Sequence, residues 1–428
     1  MEQRTATPGV GTLARLGLLG ALVGIPTGLV AFSFMALVHE MQHWLWHSLP
    51  EALGLDGPPW YLVIGLPTLG GVLVYLARRL PGDGGHSPLH SGLAPPGKPI
   101  NAWSVALAGL ATLPFGLVLG PEGPLLAVGA AVAVWLTQAA KLDATGNALL
   151  GAAGSASALS TLFGGPLVAG MLVLESGAAG GMAIIPIMVP CLTAASVSYF
   201  LITGLGSWTG LPVHGLAVSD LPPYQTVLLP DLVVALVVGA VVGVVAIGIQ
   251  RVAQRIAGLE NRIGQLPLLI GAGATVGLLA WSASLFGAAP MDVLFSGQAG
   301  ITPLLQSPAQ VAVVLLVAKA LAYMISLGGG FRGGAIFPII FVGVAIAYFA
   351  VLLFGMSPTV AVAIGAGAGM AAFTRLLMSA LIFTALLVGT AGLDAIPMAA
   401  IAAVAAWLTA TALESRFPAP TADHAHTA

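Results

Sequence analysis

Most of the chain consists of long apolar stretches that contain no Asp, Glu, Lys or Arg. Little polar sequence separates these stretches, which include 16–38, 57–77, 99–121, 123–140, 144–174, 176–219, 232–250, 263–291, 293–318, 333–374 and 395–413. A membrane-spanning helix needs about 20 predominantly apolar residues. Only 7% of the 428 residues are charged, far fewer than in soluble domains. The pattern therefore predicts an all-α polytopic membrane protein.

Glycine and proline interrupt several stretches, as at 164–166, Pro186 and Pro190. Stretches that are too long for one crossing and are broken in this way predict tilted, broken or partly inserted helices. We expect about fifteen to eighteen helical pieces. The positive-inside rule places the basic residues between the stretches in the cytoplasm: Arg78, Arg79, Lys141, Arg251, Arg255 and Arg262. Tryptophans near the ends of the first stretches are expected to be interfacial anchors: Trp44, Trp46 and Trp60.

We expect one transmembrane domain over 14–414, built from two repeats at about 14–210 and about 220–414. Residues 1–13 are predicted to form a cytoplasmic segment and residues 415–428 a short polar tail. The first apolar run continues to Val38 without a clear cleavage site, so we predict a membrane helix there rather than a signal peptide.

Composition also disfavours several classes of partner and site. Thirteen basic and fifteen acidic residues nearly balance, which argues against nucleic acid as a partner. A single cysteine, Cys191, excludes an internal disulfide framework and any Cys-x-x-Cys metal site. We expect membrane lipid as the surrounding partner, no cofactor, and no enzymatic activity.

Glu122 is the only charged residue between Asn101 and Ala140, and helix breakers surround it in the segment 120–124, Gly-Pro-Glu-Gly-Pro. An acid in so apolar a stretch is costly to keep ionised, and such residues usually mark an ion or proton path. A helix that begins inside the bilayer would offer unpaired N–H groups to an anion nearby. The alternative is a helix-capping glutamate at the membrane surface.

A short repeat relates the two halves of the chain. Residues 124–131, Pro-Leu-Leu-Ala-Val-Gly-Ala-Ala, reappear as 338–345, Pro-Ile-Ile-Phe-Val-Gly-Val-Ala, at a spacing of 338 − 124 = 214 residues. Each copy follows a glycine-rich break, 120–123 in the first half and 328–334 in the second. Two interrupted helices at matching points of two halves indicate a transporter binding site. The repeat alone leaves open whether the halves are parallel or inverted.

These segments together resemble the CLC family of chloride channels and chloride/proton antiporters, in its prokaryotic form. Residues 120–124 resemble the family's Gly-Arg-Glu-Gly-Pro motif, and 334–338, Gly-Ala-Ile-Phe-Pro, resemble its Gly-x-Phe-x-Pro motif. Residues 165–175 are similar to its Ala-Pro-Leu-Ala-Gly helix, which ends in acids, and 292–297 are similar to a further segment. The resemblance spans roughly residues 14–412.

The resemblance implies two inverted halves of broken helices, a homodimer with one pore per subunit, and a place in the inner membrane of a prokaryote. It also implies a set of site residues. Gating and proton transfer fall to Glu122, Glu175 and Ser176. Anion binding, largely by backbone amides, falls to Gly85, Ser87, Gly120, Gly123, Gly334, Ala335, Ile336 and Phe337.

Two groups of departures from the family pattern affect these expectations. The family's serine position falls on Gly85, with Ser87 as a substitute, and the segment near Ala391 and Gly392 lacks the family's tyrosine. Backbone amides alone would discriminate weakly between chloride and larger anions, and Gly85→Ser would then favour chloride. The inner proton-transfer glutamate falls on Ser176. Its neighbour Glu175 is retained, either as a proton relay or as a residue that pairs at the cytoplasmic interface.

The expected function is therefore transport of chloride or a similar inorganic anion, gated by Glu122. The sequence leaves open whether the protein is a chloride/proton antiporter or a passive channel. A different class is suggested by His39-Glu40-Met41-Gln42-His43, a His-Glu-x-x-His motif that could hold zinc in an intramembrane protease. That alternative leaves both Glu122 and the half-chain repeat unexplained.

Overall fold

The computed structural model describes residues 9–85, 87, 89, 101–139, 143–176, 184–209 and 216–417. Within them the chain forms eighteen α-helices, a π-helical turn at Trp44–Ser48 and a 3-10 helix at Gly389–Ala395. The α-helices are α1 (Val10–His43), α2 (Leu49–Ala52), α3 (Trp60–Arg78), α4 (Ala102–Thr112), α5 (Glu122–Ala139), α6 (Ala144–Phe163), α7 (Pro166–Glu175), α8 (Ile184–Thr209), α9 (Leu229–Ala257), α10 (Glu260–Ile263), α11 (Gln265–Ser284), α12 (Pro290–Val293), α13 (Ile301–Leu305), α14 (Ala309–Gly328), α15 (Ile336–Phe354), α16 (Pro358–Thr374), α17 (Leu377–Val388) and α18 (Ile396–Arg416). Lys141, residues 1–8 and residues 418–428, for which the sequence made predictions, lie outside the described residues.

Eight helical segments in the described ranges are long and apolar enough to cross a membrane. They are Val10–Ala52, Trp60–Arg78, Ile184–Trp208, Leu229–Ile263, Gln265–Ser284, Ala309–Gly328, Ile336–Phe354 and Leu377–Arg416. Three further apolar helices, α4, α7 and α16, are shorter. Large apolar side chains such as Leu22, Phe200 and Leu236 are exposed, as lipid contact allows. The predicted all-α polytopic membrane fold is confirmed.

The two halves of the chain repeat one packing arrangement. Helix α1 packs on α6 and α8, just as α9 packs on α16 and α18. Likewise α4 contacts α5 and α5 contacts α6, while α14 contacts α15 and α15 contacts α16. The short sequence repeat therefore belongs to a repeat of the whole architecture.

Equivalent helices of the two halves run in opposite directions. Helices α3 and α11, the second long helix of each half, pack closely because small residues line their contact. A Cβ at Gly71 would lie 2.5 Å from the carbonyl oxygen of Leu269, and a Cβ at Gly277 would lie 2.5 Å from that of Val63. The start of α3 thus meets the end of α11. Because both helices can cross the membrane, the halves have inverted topology.

The basic ends of two helices meet on one side of the molecule. Arg78, at the end of α3, donates to the Glu260 carboxylate at 3.3 Å, just after α9 and its Arg255. The structure thus brings the end of α3 to the segment that follows α9, and the cytoplasmic location of these arginines stays a prediction.

One predicted interfacial tryptophan is wrong. Trp44 and Trp60 are largely exposed, but Trp46 has no exposed surface. Its indole N–H donates to the carbonyl of Pro114 at 2.8 Å. The π-helical turn at Trp44–Ser48 directs this ring towards the protein interior, where the carbonyl satisfies its only donor.

Candidate anion site

The Glu122 side chain lies at the N-terminus of α15, in the opposite half of the chain. Its Oε1 accepts hydrogen bonds from the backbone N–H groups of Ile336 at 3.0 Å and Phe337 at 3.1 Å. Glu122 is itself the first residue of α5, and it has no exposed surface. The carboxylate therefore occupies the position that an anion takes at a helix N-terminus.

The first turn of α15 leaves these two donors available. N–H groups at the start of a helix have no partner inside the helix, and they carry the positive end of its dipole. Pro338, the third residue of α15, has no N–H. Ile336 and Phe337 thus supply the N–H groups of the first three helical positions, and both N–H groups donate to Glu122 Oε1.

Gly120 and Gly334 enclose the carboxylate from both halves. They form an antiparallel bridge, in which the N–H of Gly120 lies 2.8 Å from the carbonyl oxygen of Gly334 and the reverse bond measures 2.5 Å. A Cβ at either position would overlap Glu122 Oε2. That oxygen is buried and has no hydrogen-bond partner among the described residues. A Cβ at Gly123 would likewise lie 2.8 Å from the carbonyl of Gly333, so three glycines permit this close approach.

The contacting residues are equivalent positions of the two repeats. Glu122 and Ile336 are separated by 336 − 122 = 214 residues, and so are Gly120 and Gly334, with 334 − 120 = 214. Equivalent residues touch each other only near the pseudo-two-fold axis that relates the halves. The two broken helices that the sequence singled out thus meet at this axis.

Three phenylalanine rings cover one side of the site. The ring of Phe337 lies 5.9 Å from that of Phe163 and 5.7 Å from that of Phe383, which are 5.2 Å from each other. Phe163 and Phe383 were not predicted from the sequence, because single aromatic residues in apolar helices carry no distinct signal. Their edges and faces make this wall of the site apolar.

Helix α14 carries a buried polar face that holds the surrounding loops. Tyr323 donates to the carbonyl of Ala335 at 2.8 Å, and the hydroxyl of Ser326 accepts from the N–H of Val118 at 3.1 Å. Lys319 donates to the carbonyl groups of Asp292 at 3.0 Å and Leu294 at 2.6 Å. This polar face was not predicted from the sequence. The available signal was the spacing of polar residues at 319, 323 and 326, one face of a helix in apolar sequence.

The comparison with known proteins identifies the family. The sequence profile described as "Voltage gated chloride channel" matches residues 89–410, more than half of the chain. The chain belongs to the voltage-gated chloride channel family. Curated relatives named YfeO, provisionally assigned to ion transport, are 29% identical over 362 residues in Escherichia coli O139:H28 and 28% identical over 361 residues in Shigella flexneri. In both cases the match covers 79% of this chain and 79% of the relative.

Two solved structures share the fold of this channel-family member. A slow cyanobacterial Cl⁻/H⁺ antiporter superposes with a TM-score of 0.76 at 21% identity, covering 93% of this chain and 95% of that one. A CLC-type fluoride/proton antiporter superposes with a TM-score of 0.69 at 20% identity, covering 94% and 96%. The predicted family and fold class are confirmed. The protein is a multi-pass protein of a prokaryotic inner membrane with the family's function, anion transport as a channel or an anion/proton antiporter.

The zinc-protease alternative gains no support from these comparisons. His39, Glu40 and His43 are exposed near the end of α1. Nδ1 of His43 lies 3.3 Å from the Ser48 hydroxyl. Among the described residues, no three His, Cys, Asp or Glu side chains are grouped so as to hold a metal ion.

Gly85 and Ser87 follow α3, and both lie close to residues of their own neighbourhood, Val105 and Leu89. A Cβ at Gly85 would lie 2.8 Å from a methyl of Val105 on α4, and its φ of +89° lies in the left-handed region. The hydroxyl of Ser87 accepts from the N–H of Leu89 at 3.4 Å. Gly85→Ser would therefore strain this turn and is a poor test of selectivity. Anion binding by Gly85 and Ser87 stays a prediction, and His86 and His90 lie outside the described residues.

Glu175 and Ser176 lie at the end of α7, where Glu175 contacts the start of α17. The two carboxylate oxygens of Glu175 accept from the N–H groups of Met378 at 2.9 Å and Ser379 at 2.7 Å. The hydroxyl of Ser176 donates to the carbonyl of Val173 at 3.1 Å within its own helix end. Glu175 thus caps a helix much as Glu122 does. A role of either residue in proton transfer stays a prediction.

Arg332, two residues before Gly334, is buried and paired. Its guanidinium donates to the Asp83 carboxylate at 2.8 Å and to the Asp83 carbonyl at 3.1 Å. Arg78 donates to the same carboxylate at 2.9 Å. This network ties the loop before α15 to the turn after α3, and thereby fixes the approach to the site.

The neighbourhood of Lys319 contains one acid outside the membrane spans. Burial raises the pKa of the half-buried Asp292 carboxyl, and the Lys319 ammonium opposes that rise. The ammonium also lies 5.0 Å from the ring centre of Phe341, one helical turn after Phe337. Lys319 therefore fixes the C-terminal end of α12 against α15.

Proposed function

We propose that Glu122 is the gate of a chloride transporter and that chloride binds where its carboxylate now lies. One observation carries the proposal: a buried carboxylate accepts both free N–H groups of the α15 N-terminus. An anion that enters must replace this carboxylate on the same donors. A protonated, neutral carboxyl leaves the positive helix end more readily than a charged one, so anion entry and proton uptake are linked at Glu122.

The unpartnered oxygen of Glu122 supports the proton-coupled form of this function. Oε2 is buried between Gly120 and Gly334 without a hydrogen-bond partner among the described residues. A buried acceptor without a donor costs about 1–3 kcal/mol. A proton on Oε2 removes the buried negative charge, which is the costlier form to desolvate, while Oε1 keeps its two backbone donors. Chloride/proton exchange is therefore our first choice, and a passive channel the second.

The test uses the purified protein in liposomes with an outward or inward chloride gradient. Chloride movement is followed with an electrode while the external pH is recorded. In the wild type, we expect protons to move in the direction opposite to the chloride flux. Glu122→Gln, which mimics the protonated side chain, should carry chloride without protons and without pH dependence. Chloride flux without proton movement in the wild type would make the protein a channel, and no anion flux at all would contradict the proposal.

Several coarser expectations accompany this function. We propose that 14–414 form one transport unit in two repeats, that two chains associate as a homodimer in lipid with one pore each, and that no chemical reaction is catalysed. Cross-linking in the native membrane, compared with a dilution series in detergent, tests the dimer.

A further inference from the structure

Tyr323 lies directly behind the peptide group that binds Glu122. It has no exposed surface, and its hydroxyl donates to the carbonyl oxygen of Ala335 at 2.8 Å. Its ring lies 5.8 Å from that of Phe373. Ala335 is the residue that precedes α15. The hydroxyl thus reaches from α14 to the helix start that forms the candidate anion site.

The carbonyl of Ala335 and the N–H of Ile336 are two ends of one planar peptide unit. The carbonyl end accepts from Tyr323 at 2.8 Å, and the N–H end donates to Glu122 Oε1 at 3.0 Å. Hydrogen bonds in such a chain polarise one another, by perhaps 10–30% per bond. Rotation of this peptide would break both bonds together.

We propose that Tyr323 is a positioning residue that fixes and polarises the Ile336 N–H for the transported anion. The proposal rests on the proposed function, because it assumes that the anion replaces the Glu122 carboxylate on this donor. The hydroxyl acts on the back of the peptide and does not touch the anion. It strengthens a donor in a chain that has no tyrosine at positions 391 and 392, where the family resemblance would place one.

A polarised N–H favours small anions, which accept stronger hydrogen bonds than large, easily dehydrated ones. Loss of the Tyr323 hydroxyl should therefore weaken chloride binding and lower the preference for chloride over thiocyanate. A hydrogen bond has a net contribution that corresponds to about a two- to tenfold change in an equilibrium constant. Because the hydroxyl acts on chloride only through the polarised peptide, we expect the half-saturating chloride concentration to rise by the lower end of that range, about twofold, in Tyr323→Phe.

The structure offers a matched control in Tyr348. Its hydroxyl also donates to carbonyls, those of Leu305 at 3.0 Å and Ser307 at 2.9 Å. It lies on α15 twelve residues after Ile336, about 18 Å along the helix. Tyr348→Phe removes a hydroxyl of the same kind without touching the site.

The experiment measures chloride flux in liposomes against chloride concentration, with thiocyanate as competitor. Tyr323→Phe should raise the half-saturating chloride concentration and lower the chloride-to-thiocyanate ratio in the Glu122→Gln background, where no charged carboxylate competes for the Ile336 N–H. Tyr348→Phe should change neither quantity. Equal behaviour of the two variants would overturn the proposal while leaving the transport function intact. Absence of anion flux in the wild type would instead overturn the proposed function.

A second variant covers the case in which Tyr323→Phe does not fold. Site-specific incorporation of 3-fluorotyrosine at position 323 keeps the ring and makes the hydroxyl a stronger donor. Both quantities should then shift in the opposite direction, towards tighter chloride binding. Unchanged affinity and selectivity in this variant would also overturn the proposal.

Discussion

At the scale of single residues, the Glu122 carboxylate occupies the two N–H groups that the proposed mechanism assigns to the transported anion. The carboxylate fits closely because two neighbouring residues are glycines and have no side chain. Gly120 and Gly334 carry no Cβ, and the space of those two atoms is taken by Oε2. The glycines therefore set how deeply the carboxylate can enter.

Gly334→Ala should drive the carboxylate out of the site. The added Cβ overlaps Glu122 Oε2, and the backbone at this position is not left-handed, so the effect is steric. We expect chloride flux that no longer depends on pH, as in Glu122→Gln, measured over a pH series in liposomes.

Gly248→Ala is the matched control for this prediction. It lies inside α9, and a Cβ there meets nothing within 4 Å. Alanine is favoured over glycine in a helix by about 1 kcal/mol, so this control should transport like the wild type. A Gly334→Ala protein with the wild-type pH response would show that the carboxylate can relocate without leaving its donors.

At the residue scale, only some of the residues of this site were predicted from the sequence. Glu122 was singled out as an isolated acid in apolar sequence, whereas Ile336 and Phe337 were named through the resemblance to the CLC motif at 334–338. Tyr323 and Lys319 were not, because their partners are backbone carbonyls 12 and 27 residues away. A carbonyl has no residue identity, so such contacts cannot be predicted from residue types.

At the scale of elements, the N-termini of two helices are each capped by a carboxylate from another helix. Glu122 caps α15 from α5, and Glu175 caps α17 from α7. The two cases differ in how their oxygens are satisfied. Both oxygens of Glu175 have donors, whereas Glu122 has a buried oxygen without one among the described residues. The geometry thus favours a structural cap at Glu175 and a functional group at Glu122.

Glu175→Ala should destabilise the protein without changing its coupling. Loss of a helix cap costs about 1 kcal/mol, and the melting temperature in detergent should fall accordingly. The ratio of protons to chloride, measured in liposomes, should stay at the wild-type value. A changed ratio with unchanged stability would instead identify Glu175 as a proton relay.

At the scale of the whole molecule, the antiparallel packing of α3 and α11 fixes the relation between the halves. The sequence revealed that a repeat exists, but the direction of the second copy depends on which helix faces pack together. Gly71 and Gly277 reveal the direction of the second copy only through the backbone atoms that they contact. The sequence alone does not identify those atoms. The family resemblance, and not the spacing of residues, supplied the inverted arrangement in advance.

The ends of α3 and α11 give a direct test of the inverted topology. Cys191 is buried, so it should give little background labelling. Arg79→Cys and Phe286→Cys lie just after the C-terminal ends of these equivalent helices and are both exposed. A membrane-impermeant maleimide should label them from opposite sides, the cytoplasm for position 79 and the periplasm for position 286. Labelling of both from the same side would mean that the halves are parallel.

The bridge between Gly120 and Gly334 also has a consequence for biosynthesis. The donors for Glu122 lie 214 residues later in the chain. At about 5–20 residues per second, the ribosome needs about 10–40 s to make that intervening segment. During this interval the first half is in the membrane with an acid that has no α15 to receive it. The candidate anion site is therefore completed only late in synthesis, and a chain truncated before α15 would insert helices without ever forming it.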